Sequence, residues 1–187
     1  MAGRREAQRA AMRDRLLEAA LELFEAQGYE STTIDQIAAR ADVARQTVLN
    51  HYPHKRDFVA EWGRRRRDQL IAVPGGSARE QLHGYFDALA DINERERDLT
   101  RMLYLTFSSA EIGMHQRPIP DASVATIRAG QATGELNPQA NPTLAAQLVA
   151  AVYFDTLSRW LTTEPPFDLR ALLHAQLDLV LGGLAQG

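Results

Sequence analysis

The sequence predicts an all-α protein of about nine helices. Apolar residues recur at three- and four-residue spacing along most of the chain, and Gly, Pro and Asn punctuate the segments so formed. No stretch alternates apolar and polar residues in the manner of a half-buried strand.

In chain order, Leu16, Leu17, Ala20, Leu21 and Phe24 place one amphipathic helix over Arg9 to Gln27, stopped by Gly28-Tyr29. Thr32 is the expected cap of a short second helix, with Asp35 reaching back to it and Ile34, Ile37, Ala38 and Ala41 on the inner side. Asp42 suits a left-handed turn position, Val43 tucks beneath the turn, and a third helix starts at Ala44 and ends near Tyr52, before Pro53. A longer helix from Lys55 to Ile71 stops at the breaker cluster Val73-Pro74-Gly75-Gly76-Ser77. Five more helices are expected near Ala78 to Glu94, Asp98 to Ile112, Pro120 to Thr133, Pro142 to Thr163 and Leu169 to Leu184. Asn141-Pro142 reads as a cap followed by proline at the first helical position, and Asp168 as the cap of the last helix.

Composition narrows the chemistry. With 187 residues and 45% hydrophobic content the chain buries a true core, and the absence of cysteine excludes disulfides, thiolate zinc sites and cysteine nucleophiles. No apolar run approaches the roughly 20 residues of a membrane span, and the Arg-rich start has no signal-peptide block, so a cytoplasmic protein is expected. The net charge of -3 is unevenly divided: Met1 to Arg67 holds 13 basic against 10 acidic residues (+3), and Asp68 to Gly187 holds 8 against 14 (-6). The first third is the part suited to an anion.

Two short helices joined by a tight turn, Thr33 to Arg40 and Ala44 to His51, have the lengths of a helix-turn-helix, whose second helix enters the major groove of DNA. Leu17-Glu18-Ala19-Ala20, Phe24, Gly28-Tyr29, Thr32-Thr33-Ile34, Ile37-Ala38, Ala41, Val43, Thr47, His51-Tyr52 and Lys55 together resemble the N-terminal signature of the TetR family. That resemblance implies a DNA-binding three-helix domain over residues 1-54 and a ligand-binding and dimerisation domain over 55-187. It implies phosphate contacts from Thr33, Thr47 and Lys55, at or near helix N-termini where anions are favoured. Base reading falls to Arg45, Gln46, Asn50 and His51, with Arg suited to guanine and Gln or Asn to adenine; His51 alternatively packs or caps the helix end. The sequence departs from the family pattern at Leu49, where a tyrosine is usual, at Asp42, where glycine is usual, and at His54, where a small polar cap is usual. Leu49 is expected to fill the gap beside the first helix in preference to touching a thymine methyl.

Arg64 to Arg67 point around the whole circumference of their helix and read as solvated or ion-paired. Arg4, Arg5, Arg9, Arg13 and Arg15 form either an arm or helix face against phosphates or part of a disordered extension. Leu144, Leu148, Val152, Thr156 and Trp160, and Leu172, Leu173, Leu177, Val180, Leu181 and Leu184, form two apolar stripes. By the resemblance, these last two helices build a homodimer interface; otherwise the stripes serve the monomer's own core. The stretch from Ile127 to Leu136 also looks like a passage common in TetR C-terminal domains. A small-molecule pocket is expected between about Trp62 and Tyr153, with Phe86, Met102, Tyr104, Phe107 and Tyr153 as candidate lining. Asp155 and Arg159 read as a surface pair.

No catalytic set is present: His51, His54, His83, His115 and His174 are scattered, and Pro53 separates the one metal-like pair. No enzyme activity, cofactor or metal is expected. The reading is a repressor released from a palindromic operator by a small molecule. The alternatives are a helical interaction protein that has lost DNA binding and a corepressor-dependent regulator.

Overall fold

The computed structural model describes residues 2-69, 76-107 and 121-184. Most of the breaker cluster after residue 72 and the last residues of the helix expected to reach Ile112 lie outside the described residues. Among the described residues there are nine helices and no strand, and none of the helices is long and apolar enough to cross a membrane. Packing divides the chain into two compact units, Met1–Gln69 and Leu70–Gly187.

The first unit holds α1 (Ala2–Gln27), α2 (Ile34–Arg40), α3 (Arg45–His51) and α4 (Lys55–Gln69). The division expected between residues 54 and 55 marks the end of the helix-turn-helix, whereas by packing α4 belongs with α1 in the first unit. Leu16, Leu17, Ala20 and Phe24 of α1 and Ile37, Val48, Tyr52 and Phe58 of the other three helices and the turn after α3 are all buried. Gly28, at φ 85°, ends α1 with its N–H on Phe24 O at 2.9 Å, a conformation that glycine adopts without steric penalty. The start of α1 differs from expectation: the helix begins at Ala2, so the Arg-rich segment is helical.

The cap of α2 is one residue later than expected. Thr33 accepts from Gln36 N, and the Gln36 side chain accepts from Thr33 N, completing a reciprocal box. Thr32 is buried and donates its hydroxyl to Gly28 O at 2.8 Å, closing the end of α1, while Asp35 pairs with Arg45 instead of reaching back.

The second unit holds α5 (Ala78–Arg95), α6 (Arg97–Thr106), α7 (Asp121–Ala132), α8 (Pro142–Thr162) and α9 (Leu169–Leu184). Asn141 caps α8 through Thr143 N and Leu144 N, and Asp168 accepts from Ala171 N, both as expected. Against α5 and α8, α9 buries Leu169, Leu173, Leu177 and Leu181. The same two helices carry an antiparallel polar ladder: Arg79 and His83 of α5 meet Asp178 of α9, and Arg170 and His174 of α9 meet Asp87 of α5.

The stripe expected along α8 divides between two faces. Leu144 and Leu148 are 62% and 51% exposed, whereas Thr156 and Trp160 are buried. Four-residue steps advance about 40° each around a helix, so four steps carry the row to the opposite side. The expected pair Asp155 and Arg159 is exposed, at 3.9 Å.

The turn after α7 docks onto the start of α5. Glu135 accepts from Ala78 N at 2.7 Å and Arg79 N at 2.9 Å, placing a carboxylate on the positive end of that helix. Gly130 lies so close that an added Cβ would stand 2.6 Å from Ala78 Cβ and 3.0 Å from Leu136 Cδ1. Gly130→Ala is therefore expected to destabilise the second unit by about 1 to 3 kcal/mol, read as a lower denaturant midpoint. An unchanged midpoint would show that the turn yields without strain.

Candidate nucleic-acid interface

The helix-turn-helix is built from two seven-residue helices that cannot persist alone, so its geometry depends on what α1 and α4 supply. Asp42 takes φ 49° at the turn, where an Asp or Asn is tolerated, and Val43 N returns to Ala38 O at 3.0 Å. Val48 pins α3 to the core, and Tyr52 stacks on Phe58 with ring centroids 4.1 Å apart.

Three cations hold these elements by their backbone carbonyls. Arg13 donates to His51 O at 3.2 Å and lies 4.6 Å from the centre of the Tyr52 ring, while the Tyr52 hydroxyl donates to Arg13 O at 3.2 Å. Arg15 donates to Ala41 O and to Asp42 O, gripping the turn. Lys55 donates to Tyr29 O at 2.7 Å, Thr32 O at 3.0 Å and Glu30 O at 3.3 Å, with its ammonium 4.1 Å from the Tyr29 ring centre. All three protons of that ammonium are thus directed at carbonyls, and a phosphate contact by Lys55 would require giving some of them up.

On the outer side of α3, Arg45, Gln46 and Asn50 are exposed. Gln46 Nε2 donates to Asn50 Oδ1 at 3.1 Å, one helical turn on, and Arg45 lies 3.2 Å from Asp35 of α2. These are surface interactions that a base edge can replace at small cost. Thr47 and Leu49 are half-buried along the helix flanks. The Thr33 hydroxyl is exposed and engaged with Gln36. His51 turns inward: its Nδ1 is buried without a hydrogen-bond partner, and burial first, then the charges of Arg9 and Arg13, lower its pKa.

The buried carboxylate beneath this assembly is one that sequence reading missed. Glu61 of α4, 8% exposed, meets Arg64 at 2.6 Å, Arg13 at 3.3 Å and Arg65 at 3.3 Å. Hydrogen bonding from Arg64 outweighs burial, and with help from Arg65 and Arg13 the carboxyl is held at about 2. Arg65 also reaches Asp14 of α1, so the arginine run is ion-paired in part, as its wheel positions imply. The signal available in sequence was Glu61 itself, one helical turn before that run.

Residues 16–62 match the model of bacterial regulatory proteins, tetR family. Over 47 residues the chain is 47% identical to the HTH-type transcriptional regulator TcmR of Streptomyces glaucescens, covering 25% of this chain and 21% of that protein. It is also 22% identical over 183 residues to the fatty acid metabolism regulator protein of Bacillus subtilis, covering 90% of this chain and 93% of that one. Thermus thermophilus FadR, a TetR family repressor solved in complex with lauroyl-CoA, superposes with a TM-score of 0.66 at 28% identity, over 94% of this chain and 96% of its own.

Residues 16–62 are a TetR-family DNA-binding domain, and over most of its length the chain is similar to TetR-family regulators. It is a DNA-binding transcriptional regulator, and the helix-turn-helix of α2 and α3 is the corresponding module. The second unit carries the candidate ligand residues. Phe86 and Tyr153 are buried in its core, with ring centres 6.3 Å apart. Met102, Tyr104 and Phe107 are half-buried on or just after α6, and Tyr104 shares a 2.6 Å hydrogen bond with Ser158 of α8. Sequence reading missed Asn93, fully buried on α5, which donates to Tyr153 Oη at 2.9 Å and Leu89 O at 2.7 Å.

Because the Glu61 carboxyl titrates near 2 when folded and near 4.3 when unfolded, its stabilisation is complete above about pH 4.3 and is lost as pH falls through 2. Glu61→Gln is expected to remove about 2 kcal/mol at neutral pH and to flatten the stability-against-pH curve between those values. A variant as stable and as acid-sensitive as the parent would contradict this role.

Proposed function

We propose that this chain is a homodimeric repressor of the TetR family that binds an inverted-repeat operator and leaves it when a ligand with a long acyl tail enters the second unit. The observation that carries the DNA half is the division of α3: Val48 is held in the core while Arg45, Gln46 and Asn50 stand outward with only exchangeable surface partners. Arg offers a bidentate donor pair to guanine, and Gln and Asn match the donor and acceptor of adenine. Thr33 and Thr47 supply hydroxyls for phosphates beside them, and Leu49 is a packing residue of the flank. His51 supports the helix end from within, and Lys55 holds the end of α1. The protein acts in the cytoplasm, where its operator lies, and carries out no reaction.

A single short recognition helix discriminates poorly, and two related by a dyad read half-sites about 34 to 36 Å apart or a multiple of it. Leu144 and Leu148 on α8 and Leu179 on α9, the last 78% exposed, offer apolar surface for such pairing through the last two helices. The ligand class rests on the lauroyl-CoA complex of the Thermus relative. In this chain an apolar interior with a few polar groups, Asn93 with Tyr153 and Tyr104 with Ser158, suits a tail and its polar attachment. Phe86, Met102 and Phe107 complete the proposed lining. Release follows as a population shift, by as much as the ligand's affinities for the two dimer states differ.

Selection of bound duplexes from a random pool tests all three parts. An inverted repeat is expected to be enriched, to be lost or altered with the Arg45→Ala, Gln46→Ala variant, and to be released on adding lauroyl-CoA. Enrichment of a single half-site would contradict the dimer, an unchanged consensus in the variant would contradict the reading residues, and retention at saturating lauroyl-CoA would contradict the ligand class.

A further inference from the structure

The first turns of α1 are a helix without a structural purpose. Gly3 to Ala11 are all exposed, and this segment carries Arg4, Arg5 and Arg9 with Glu6 as its one acidic residue. A helical stretch that is polar on every side gains nothing from packing. Cations in the first turn, with no acidic residue there, also oppose the positive end of the helix dipole.

Six other arginines of the first unit behave differently. Arg13, Arg15, Arg40, Arg45, Arg64 and Arg65 each lie within 4.0 Å of a carboxylate. Arg5 and Arg9 make no ion pair and no hydrogen bond among the described residues. They also have a defined direction. At four-residue intervals Arg5, Arg9 and Arg13 form one row along α1, in steps of about 6 Å. The row begins at the end of the recognition helix, where Arg13 donates to His51 O at 3.2 Å. Arg9 lies near enough to that same histidine for its charge to lower the histidine's pKa.

We infer that Arg5 and Arg9 extend the DNA interface beyond the helix-turn-helix, contacting backbone phosphates that flank the groove segment occupied by α3. The inference rests on the DNA-binding reading of the first unit. Two features commit it to a nucleic-acid backbone: unpaired guanidiniums complement a polyanion, and the row is continuous with the recognition helix. Phosphate contacts of this kind add affinity for every sequence and carry no base preference.

The test uses the full-length chain with Arg5→Ala and Arg9→Ala together, alanine being the strongest helix former and so preserving α1; circular dichroism confirms the helix content. Binding to the selected operator is measured across a range of salt concentrations. The plot of log affinity against log salt is expected to become shallower by about 1.8 for each protomer bound, 0.9 for each lost phosphate contact. Affinity for operator and random duplexes should fall together with the selected consensus unchanged, and Arg5→Lys with Arg9→Lys should restore the parental slope. A parental slope in the alanine variant would overturn the inference while leaving the DNA-binding reading intact. Failure of the parent chain to bind any duplex at any salt would instead overturn that reading, and this inference with it.

Discussion

Backbone carbonyls at the ends of short helices are the constraint on which the DNA-binding unit depends. Seven-residue helices such as α2 and α3 carry more unsatisfied terminal groups than internal hydrogen bonds, and in water they melt. Here the termini are closed by cations from neighbouring helices: Arg13 on the end of α3, Arg15 on the turn, and Lys55 on the segment that leads into α2. Glu61 lies beneath, fixing Arg13 by charge and linking α1 to α4. The recognition helix is thus oriented from its buried side, leaving its outer side free of structural duty. That separation leaves Arg45, Gln46 and Asn50 exposed, with only exchangeable surface partners.

A related economy governs the second unit, where polar groups sit at defined points in an otherwise apolar body. Asn93 is completely enclosed yet bonded to Tyr153 and Leu89, so its burial carries no unsatisfied amide. Glu135 closes the start of α5 from a turn more than fifty residues away in sequence, and Gly130 permits the contact by having no side chain. These tie points hold α5, α7 and the turn between α7 and α8 in register around the apolar core.

The amphipathic helices were legible because burial imposes a 3.6-residue period on sequence, and Asp42 was legible because so few residue types accept a positive φ. The cap of α2 was misplaced by one residue because Thr32 and Thr33 are chemically alike, and only the tertiary bond of Thr32 to Gly28 O distinguishes them. The roles of Arg13, Arg15 and Lys55 were hidden for a different reason. Each acts on carbonyls between 23 and 38 residues away in sequence, and a backbone acceptor leaves no mark on residue identity. The family resemblance pointed Lys55 at phosphate, while the structure directs its ammonium inward. On α8, a four-residue repeat looked like one face, but over 16 residues it drifts from solvent at Leu144 to core at Trp160.

Native-state hydrogen exchange on Arg13→Ala, Arg15→Ala, with operator affinity measured in parallel, tests most directly whether the recognition helix is held from within. Amide protection across Arg45 to Tyr52 is expected to fall, affinity to fall with it, and the preferred operator to stay the same. Parental protection of α3 in the variant would contradict this, and so would a loss of affinity accompanied by a new base preference.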